Sequence, residues 1–395
     1  MVRKTGLSAY AAFSVLIMAM AWNFEGAAIN PALATLREAF PQEPLYKVLF
    51  VSTAPFVTST IFSGLCGWLA GWFDKKHIAL GGLLIYGVSG IAPAYMTSLD
   101  AILAARIVTG VGVGLVLPIS AMLIAEHYAG RDKDRMNGLM LAVFNIANIV
   151  VSIAVGLLVD RGWQVAFLAF GFIFLLLVNT AIGCPSSPPV RDATKRHRSA
   201  PAALPPIAFA MFALMALLWL AFAYLLLSLA TFNASRAIVP MAAIGGVIAV
   251  PGAANAVAAL LYPLLGGRIR FLPSVALIML ACGFALAAQS HAPVTLLAAC
   301  VLVGLGQGVL VPFVLSVTGG ISSVAARDRS LGLVQSAVHL GALAATFVFP
   351  AVFARATTDP YSFAYNAAAA ASVAAAACSL CLVIFASRRE RFQRS

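Results

Sequence analysis

The chain has 395 residues, of which 62% are apolar and 10% charged, with a net charge of +12 and a mean hydropathy of +0.98. Soluble domains carry about 25% charged residues, so this composition excludes a water-soluble fold and makes the bilayer the solvent for much of the surface. The basic surplus does not point to nucleic acid, because it falls in short clusters between long apolar runs and forms no continuous face.

Taken in chain order, twelve segments are long and apolar enough to span a bilayer, which needs roughly 20 such residues. Six precede a break: 7–33, 47–72, 77–96, 101–125, 138–159 and 163–182. A Pro/Ser-rich and then basic stretch over 184–206 reads as a linker. Six more segments follow: 207–230, 238–265, 273–289, 293–317, 331–353 and 362–387. The first run contains Glu25 and is too long for a cleaved leader, so it is expected to stay as a helix. The expected organisation is a six-helix bundle over 1–183, a cytoplasmic linker over 184–206, and a second six-helix bundle over 207–395 ending in a short basic tail. With the N-terminus in the cytoplasm, 19 Lys and Arg fall on the inner side and 5 on the outer side. That asymmetry puts both termini in the cytoplasm of a bacterial-type inner membrane. The cysteines, including Cys378 and Cys381 in a CxxC, sit mostly in apolar runs and read as apolar filler.

The two halves resemble each other. A shift of 194 residues lays Gly110, Gly112, Gly114 and Pro118 on Gly304, Gly306, Gly308 and Pro312 without a gap. The same shift lays Asp134, Arg135 and Gly138 on Asp328, Arg329 and Gly332. Copies six helices apart cross the membrane in the same direction, which makes a parallel repeat about an axis along the membrane normal. Transporters built this way hold substrate between the halves near the midplane.

Further motifs carry a family resemblance. Arg106, Gly110 and Gly112 stand at RxxxG spacing in the fourth segment. Gly67 through Asp74, Lys75 and Lys76 is similar to a GxxxDRxGRK loop, with Gly71 in place of its Asp and Asp74 in place of its second Gly; Gly267, Arg268 and Arg270 echo it. Gly162, Trp163 and Phe167 match GWRxxF. Glu25, Asn30, Ala32 and Leu33 are similar to DxTIVNVALP, with Glu for Asp. Across the whole chain these residues resemble the major facilitator superfamily, and within it the proton-coupled drug and metabolite exporters. The fifth-segment Gly-Pro motif of antiporters is replaced by Asn145, Asn148 and Ser152. The resemblance implies an all-α membrane protein of twelve helices in two pseudo-symmetric bundles. It also implies transport without an enzymatic step or cofactor, driven by the proton gradient.

An ionisable side chain at membrane depth costs about 2.5–3.5 kcal/mol or more, so each is a candidate for function. Glu25 suits a carboxylate that loads and releases a proton. Arg106, about 9 Å into its helix, suits either an interaction with Glu25 or an anionic ligand. His339 suits proton or substrate binding and falls on Asn145 in the repeat. Gln335 shares its face; Asn145, Asn148 and Ser152 share another by their spacing. With Asn23, Asn30, Asn255 and Gln307, these residues are expected to line a substrate cavity. Asp74, Lys75, Lys76, Asp134, Arg135, Asp328 and Arg329, with Gly67, are expected to form a gating loop at the inner side. No GxxxxGK[ST] is present for nucleotide and no residue cluster has metal spacing. The expected partners are a small molecule and the lipid bilayer, with the chain acting as a monomer. A membrane-embedded enzyme or sensor is the reading from another class, and uptake or facilitated diffusion is the alternative to efflux.

Overall fold

The computed structural model describes residues 6–188, 204–240, 244–265, 271–355 and 359–392. Among them every regular element is helical, and the chain makes twelve passes. Ten helices are long and apolar enough to span a bilayer: Phe50–Leu69, Lys75–Tyr95, Leu99–His127, Gly130–Gly156, Gln164–Gly183, Pro206–Leu229, Ile244–Leu265, Pro293–Thr318, Val324–Val348 and Pro360–Leu380. These are the second to eighth and tenth to twelfth passes. The ninth, Leu272–Ala288, is a shorter apolar helix. The first runs as the short pieces Ala9–Met18, Ala19–Asn23, Phe24–Ala27, Asn30–Ala32 and Leu33–Ala39. Apolar character alone predicts one continuous helix here. Pro31 opens one of the 3-10 turns, and a proline inside a helix removes a backbone bond and crowds the preceding turn.

The fifth and eleventh helices begin at Gly130 and Val324, earlier than hydropathy predicts. Asp134, Arg135, Asp328 and Arg329 therefore stand in helical turns rather than in loops. A hydropathy window marks where a helix leaves the lipid, not where its backbone ladder ends. Most of the expected linker, and the echo at Gly267, Arg268 and Arg270, lie outside the described residues.

The sequence repeat is also a repeat in space. A Cβ added at Gly112 would sit 2.6 Å from the Gly82 carbonyl oxygen and 2.6 Å from the Tyr86 nitrogen; one at Gly306 would sit 2.7 Å from the Ala276 oxygen and 3.2 Å from the Leu280 nitrogen. Positions 276 and 280 are 82 and 86 moved by the repeat distance. Gly110 and Gly304 likewise face the carbonyls of Pro55 and Pro251, on the second and eighth passes. Each triplet strips one helix face so that two neighbouring backbones can pack directly against it. Large side chains such as Ile61, Val88, Leu175, Ile278 and Val373 remain exposed on the outer helix faces, as a lipid-solvated surface requires.

The bundles meet along two matched seams, the second pass against the eleventh and the fifth against the eighth. Gly332 opens one seam, where its Cβ would come 2.7 Å from the Ser63 oxygen, and its repeat mate Gly138 opens the other against the Ala259 oxygen. One buried apolar core runs across the division: Val15, Leu83 and Phe167 of the first half belong to the same cluster as Met215, Val311 and Leu331 of the second.

Candidate functional site

Three groups of chemistry-bearing side chains stand apart in the bundle. The first is a buried ion pair inside the first half. Arg106, on the fourth helix, and Glu25, on the broken first pass, are 0% and 1% exposed and meet with Nη2 2.5 Å from Oε2. Arg106 Nε also donates to the Val51 carbonyl at 3.0 Å, and its guanidinium lies 5.4 Å from the Phe170 ring centroid. Beneath the pair, the Tyr86 hydroxyl donates to the Ala21 carbonyl at 2.6 Å. Glu25 Oε1 and Arg106 Nη1 have no hydrogen-bond partner among the described residues. The expected approach of Glu25 to Arg106 is thus direct, and the arginine is enclosed by protein.

The second group links the two bundles at the end of the molecule where the third and fifth helices begin. Lys75 opens the third helix, whose N-cap is Asp74. It bonds Glu126 at 2.7 Å and reaches across the seam to Asp328 at 2.8 Å, with both side chains almost fully buried. Lys133 Nζ donates to the Ser316 carbonyl at 2.6 Å, and Asn137 Nδ2 donates to Ser316 Oγ at 3.1 Å. Arg327 adds a contact to the Ala125 carbonyl at 3.5 Å. Burial pushes the Asp74 carboxyl up, but bonds from the Ser186 hydroxyl and the backbone NH groups of Ser187 and Lys76 outweigh it and hold the group below the usual aspartate range. Gly67 sits at this crossing, its Cβ position occupied by the Asp328 backbone. Of the expected gating set, Lys75 and Asp328 make the cross-bundle ion pair. Lys76 and Asp134 are half-buried and Arg135 is exposed. Arg329 backbone lies against Gly67. At the opposite end, the ion pairs Lys47–Asp100 and Arg236–Asp359 each stay within one bundle.

The third group is a cavity of about 40 Å³ at the centre. Ala19, Leu117 and Phe144 line it from the first, fourth and fifth passes; Trp219, Val311 and Gln335 line it from the seventh, tenth and eleventh. Met140, Leu141, Leu315 and Val338 complete the wall, in which Gln335 is the amide side chain. Phe144 and Trp219 stand edge to face with centroids 6.4 Å apart.

The residues expected to share one polar cavity are divided by the structure. Gln335 lines the cavity. Asn145 lies instead in the seam between the fifth and eighth helices, donating to the Leu141 carbonyl at 2.8 Å and to Asn255 Oδ1 at 3.4 Å. His339, its repeat mate, lies in the other seam, with Nδ1 3.4 Å from Ser63 Oγ and its ring 6.2 Å from that of Phe56. Asn148 is exposed and Ser152 half-buried. Asn30 accepts from the Ser52 hydroxyl at 2.6 Å, and Gln307 is buried on the tenth helix. The side chain of Asn23 lies outside the described set. Polar groups in apolar surroundings pair across helices where they can, which draws Asn145 and Asn255 together in the seam. Sequence reasoning missed Phe144 and Trp219. The signal for Trp219 is its place in mid-span, since membrane tryptophans concentrate at the two interfaces.

The family model of the Major Facilitator Superfamily matches residues 7–346. The chain is 30% identical over 112 residues to the 4-hydroxybenzoate transporter PcaK of Pseudomonas putida, covering 28% of this chain and 25% of that protein. It is 27% identical over 188 residues to a methylenomycin A resistance protein of Streptomyces coelicolor, covering 46% and 39%. The match thus spans about a quarter to two fifths of those relatives' lengths. Among solved structures, the proton:xylose symporter XylE superposes with a TM-score of 0.75 at 14% identity, covering 95% of each chain. With this fold, this repeat and a family match over most of its length, the chain belongs to the Major Facilitator Superfamily.

Proposed function

We propose that the protein is a secondary transporter that moves a small organic molecule by alternating access. The supporting observation is the central cavity, lined from six helices of both bundles, together with cross-bundle contacts that close the terminus-bearing end. Under this reading the bundles 1–183 and 207–395 rock about the cavity, joined by a cytoplasmic linker over 184–206. The basic bias of the terminus-bearing side supports a cytoplasmic location for that end, and under this reading the cross-bundle contacts close the protein to the inside.

The energy source is the proton gradient, with no cofactor, and Glu25 is the coupling group. Protonation of its carboxylate would remove the counter-charge of Arg106, and a buried cation that loses and regains its partner biases one conformation against the other. His339, in the seam, is the second candidate for the coupling proton. Efflux is the direction proposed, supported by the resistance protein among the relatives. Uptake or facilitated diffusion is the alternative, supported by Asn145 and Asn148 standing where antiporters carry a Gly-Pro motif.

The test is proton movement in proteoliposomes loaded with a pH dye. In the wild type, a panel of drug-like and metabolite compounds should yield at least one that dissipates an imposed pH gradient. Glu25→Gln, with an unchanged circular dichroism spectrum, should not respond to that compound. Equal responses from the two proteins would remove Glu25 as the coupling site.

A further inference from the structure

Building on the transport reading, in which the cavity of about 40 Å³ widens as one end opens, we infer that the widened cavity takes an uncharged compact molecule with an aromatic or branched apolar body, which needs roughly 150 Å³, and one amide- or hydroxyl-type group, bonded by Gln335 and Gln307. The lining supplies the first part. Apart from Gln335 the wall is aliphatic and aromatic, with Phe144 and Trp219 presenting ring surfaces. Rings pack on such surfaces in offset or edge-to-face arrangements.

The charged side chains argue against an ionic ligand. No Asp, Glu, Lys, Arg or His is among the cavity-lining residues. Arg106 is held by Glu25 and the Val51 carbonyl, and Lys75 is held by Glu126 and Asp328 at the terminus-bearing end. An ion entering this cavity would lose its hydration with no counter-charge in the wall, which is far more costly than burying a neutral polar group.

The two glutamines supply the polar part. An amide side chain presents both a donor and an acceptor, so it pairs with an amide, a lactam or a hydroxyl without requiring charge. Gln335 is 3% exposed and borders the cavity. Gln307 is 1% exposed, and neither its Oε1 nor its Nε2 has a partner among the described residues. It stands one turn before Val311 and shares the helix stripe of Val311, Val314 and Leu315. Val311 and Leu315 line the cavity. A buried amide left unpaired is costly and rare, and a ligand group in the neighbouring space would satisfy it.

The test uses the purified full-length protein and ring-matched probes: benzamide, benzoate and toluene, with 2-naphthamide, 2-naphthoate and 2-methylnaphthalene as a larger set. Binding is read by thermal shift and by quenching of tryptophan fluorescence, with Trp219→Phe as the control for site. The amides should bind at least tenfold more tightly than the carboxylates. Gln335→Leu should weaken amide binding about tenfold, the worth of one hydrogen bond of about 1.4 kcal/mol, while hydrocarbon binding persists and shows that the variant is folded. Gln307→Leu should act in the same direction. Preference for carboxylates, an unchanged amide-to-hydrocarbon ratio in Gln335→Leu, or no binding by any probe would overturn the inference. Flux of a carboxylate in proteoliposomes would overturn it while leaving transport intact. Amide binding at the cavity without flux would overturn transport and leave the inference standing.

Discussion

The two bundles share one frame and bury different things in it. On the fourth helix the position four residues before Gly110 is Arg106, paired with Glu25; on the tenth, four residues before Gly304, it is Cys300, and both side chains are fully buried. Around Cys300 the core is apolar and aromatic, with Tyr365 packed edge to face against Phe232 and bonded to Ser228 at 2.7 Å. Packing explains the glycines in both copies, because both crossings need the same close approach. It does not explain a charge pair in one copy. At these matched positions the buried charge falls in the first bundle, while the second places an uncharged thiol in an apolar and aromatic core.

The largest expected effect comes from breaking that asymmetry. Arg106→Met leaves a buried carboxylate without its cation and should cost about 3–5 kcal/mol, read as a large fall in thermal stability in detergent. Adding Glu25→Gln should recover most of the loss, giving a strong coupling energy in a double-mutant cycle. If the two losses simply add, the pair is not a unit.

Next in size is the cross-bundle pair. Lys75→Met removes the cross-bundle partner of Asp328, which keeps only Arg327 of its own helix at 3.3 Å, and should loosen the terminus-bearing end. The same removal of a buried partner costs up to about 3–5 kcal/mol, but here part of it appears as a population shift toward the state open at the terminus-bearing end. Accessibility of a cysteine placed at Ser316 to a membrane-impermeant reagent should rise several-fold. No change would mean that the backbone crossings at Gly67 and Gly138, not the ion pair, keep that end shut.

Two smaller effects sharpen the comparison. Asp74→Ala removes an N-cap and the anchor of Ser186 and Ser187, and should cost about 1 kcal/mol. Because the carboxyl is held below its usual range, its contribution is present above the ordinary aspartate pKa and is lost only as pH falls through the depressed value. Asp74→Ala should therefore differ from wild type at neutral pH and converge with it in strong acid. Cys300→Ala, at the uncharged mate of Arg106, should cost about 1–2 kcal/mol, the scale of a lost buried sulfur-sized contact. A loss as large as that of Arg106→Met would show that the site demands a well-filled volume, not a charge.

The fold was largely legible because its determinants are local and repeated. Apolar run length placed the passes, and the glycine triplets with Pro118 and Pro312 placed the symmetry. The ion pair was legible in part, since Glu25 and Arg106 are costly at depth and enter from the same side. The cavity was not. A polar side chain on a helix stripe faces a seam or a cavity with equal ease, and Asn145 and His339 chose seams where Asn255 and Ser63 await them. The apolar wall gave no polar signal at all, because its side chains are the commonest kind in the chain. The early starts of the fifth and eleventh helices were hidden for a related reason: Asp134 and Asp328 read as loop while their backbones are helical.

If the bundles rock about the cavity, the terminus-bearing end is closed in one state and open in the other. Pulsed electron paramagnetic resonance on spin-labelled cysteine pairs tests it directly, with one pair at Asp132 and Ser323 on the terminus-bearing end and one at Tyr95 and Val294 on the opposite end. Rocking gives two populations at each end, with Lys75→Met lengthening the first distance and shortening the second. Distributions that are single and unmoved by Lys75→Met, or that lengthen together at both ends, would contradict it.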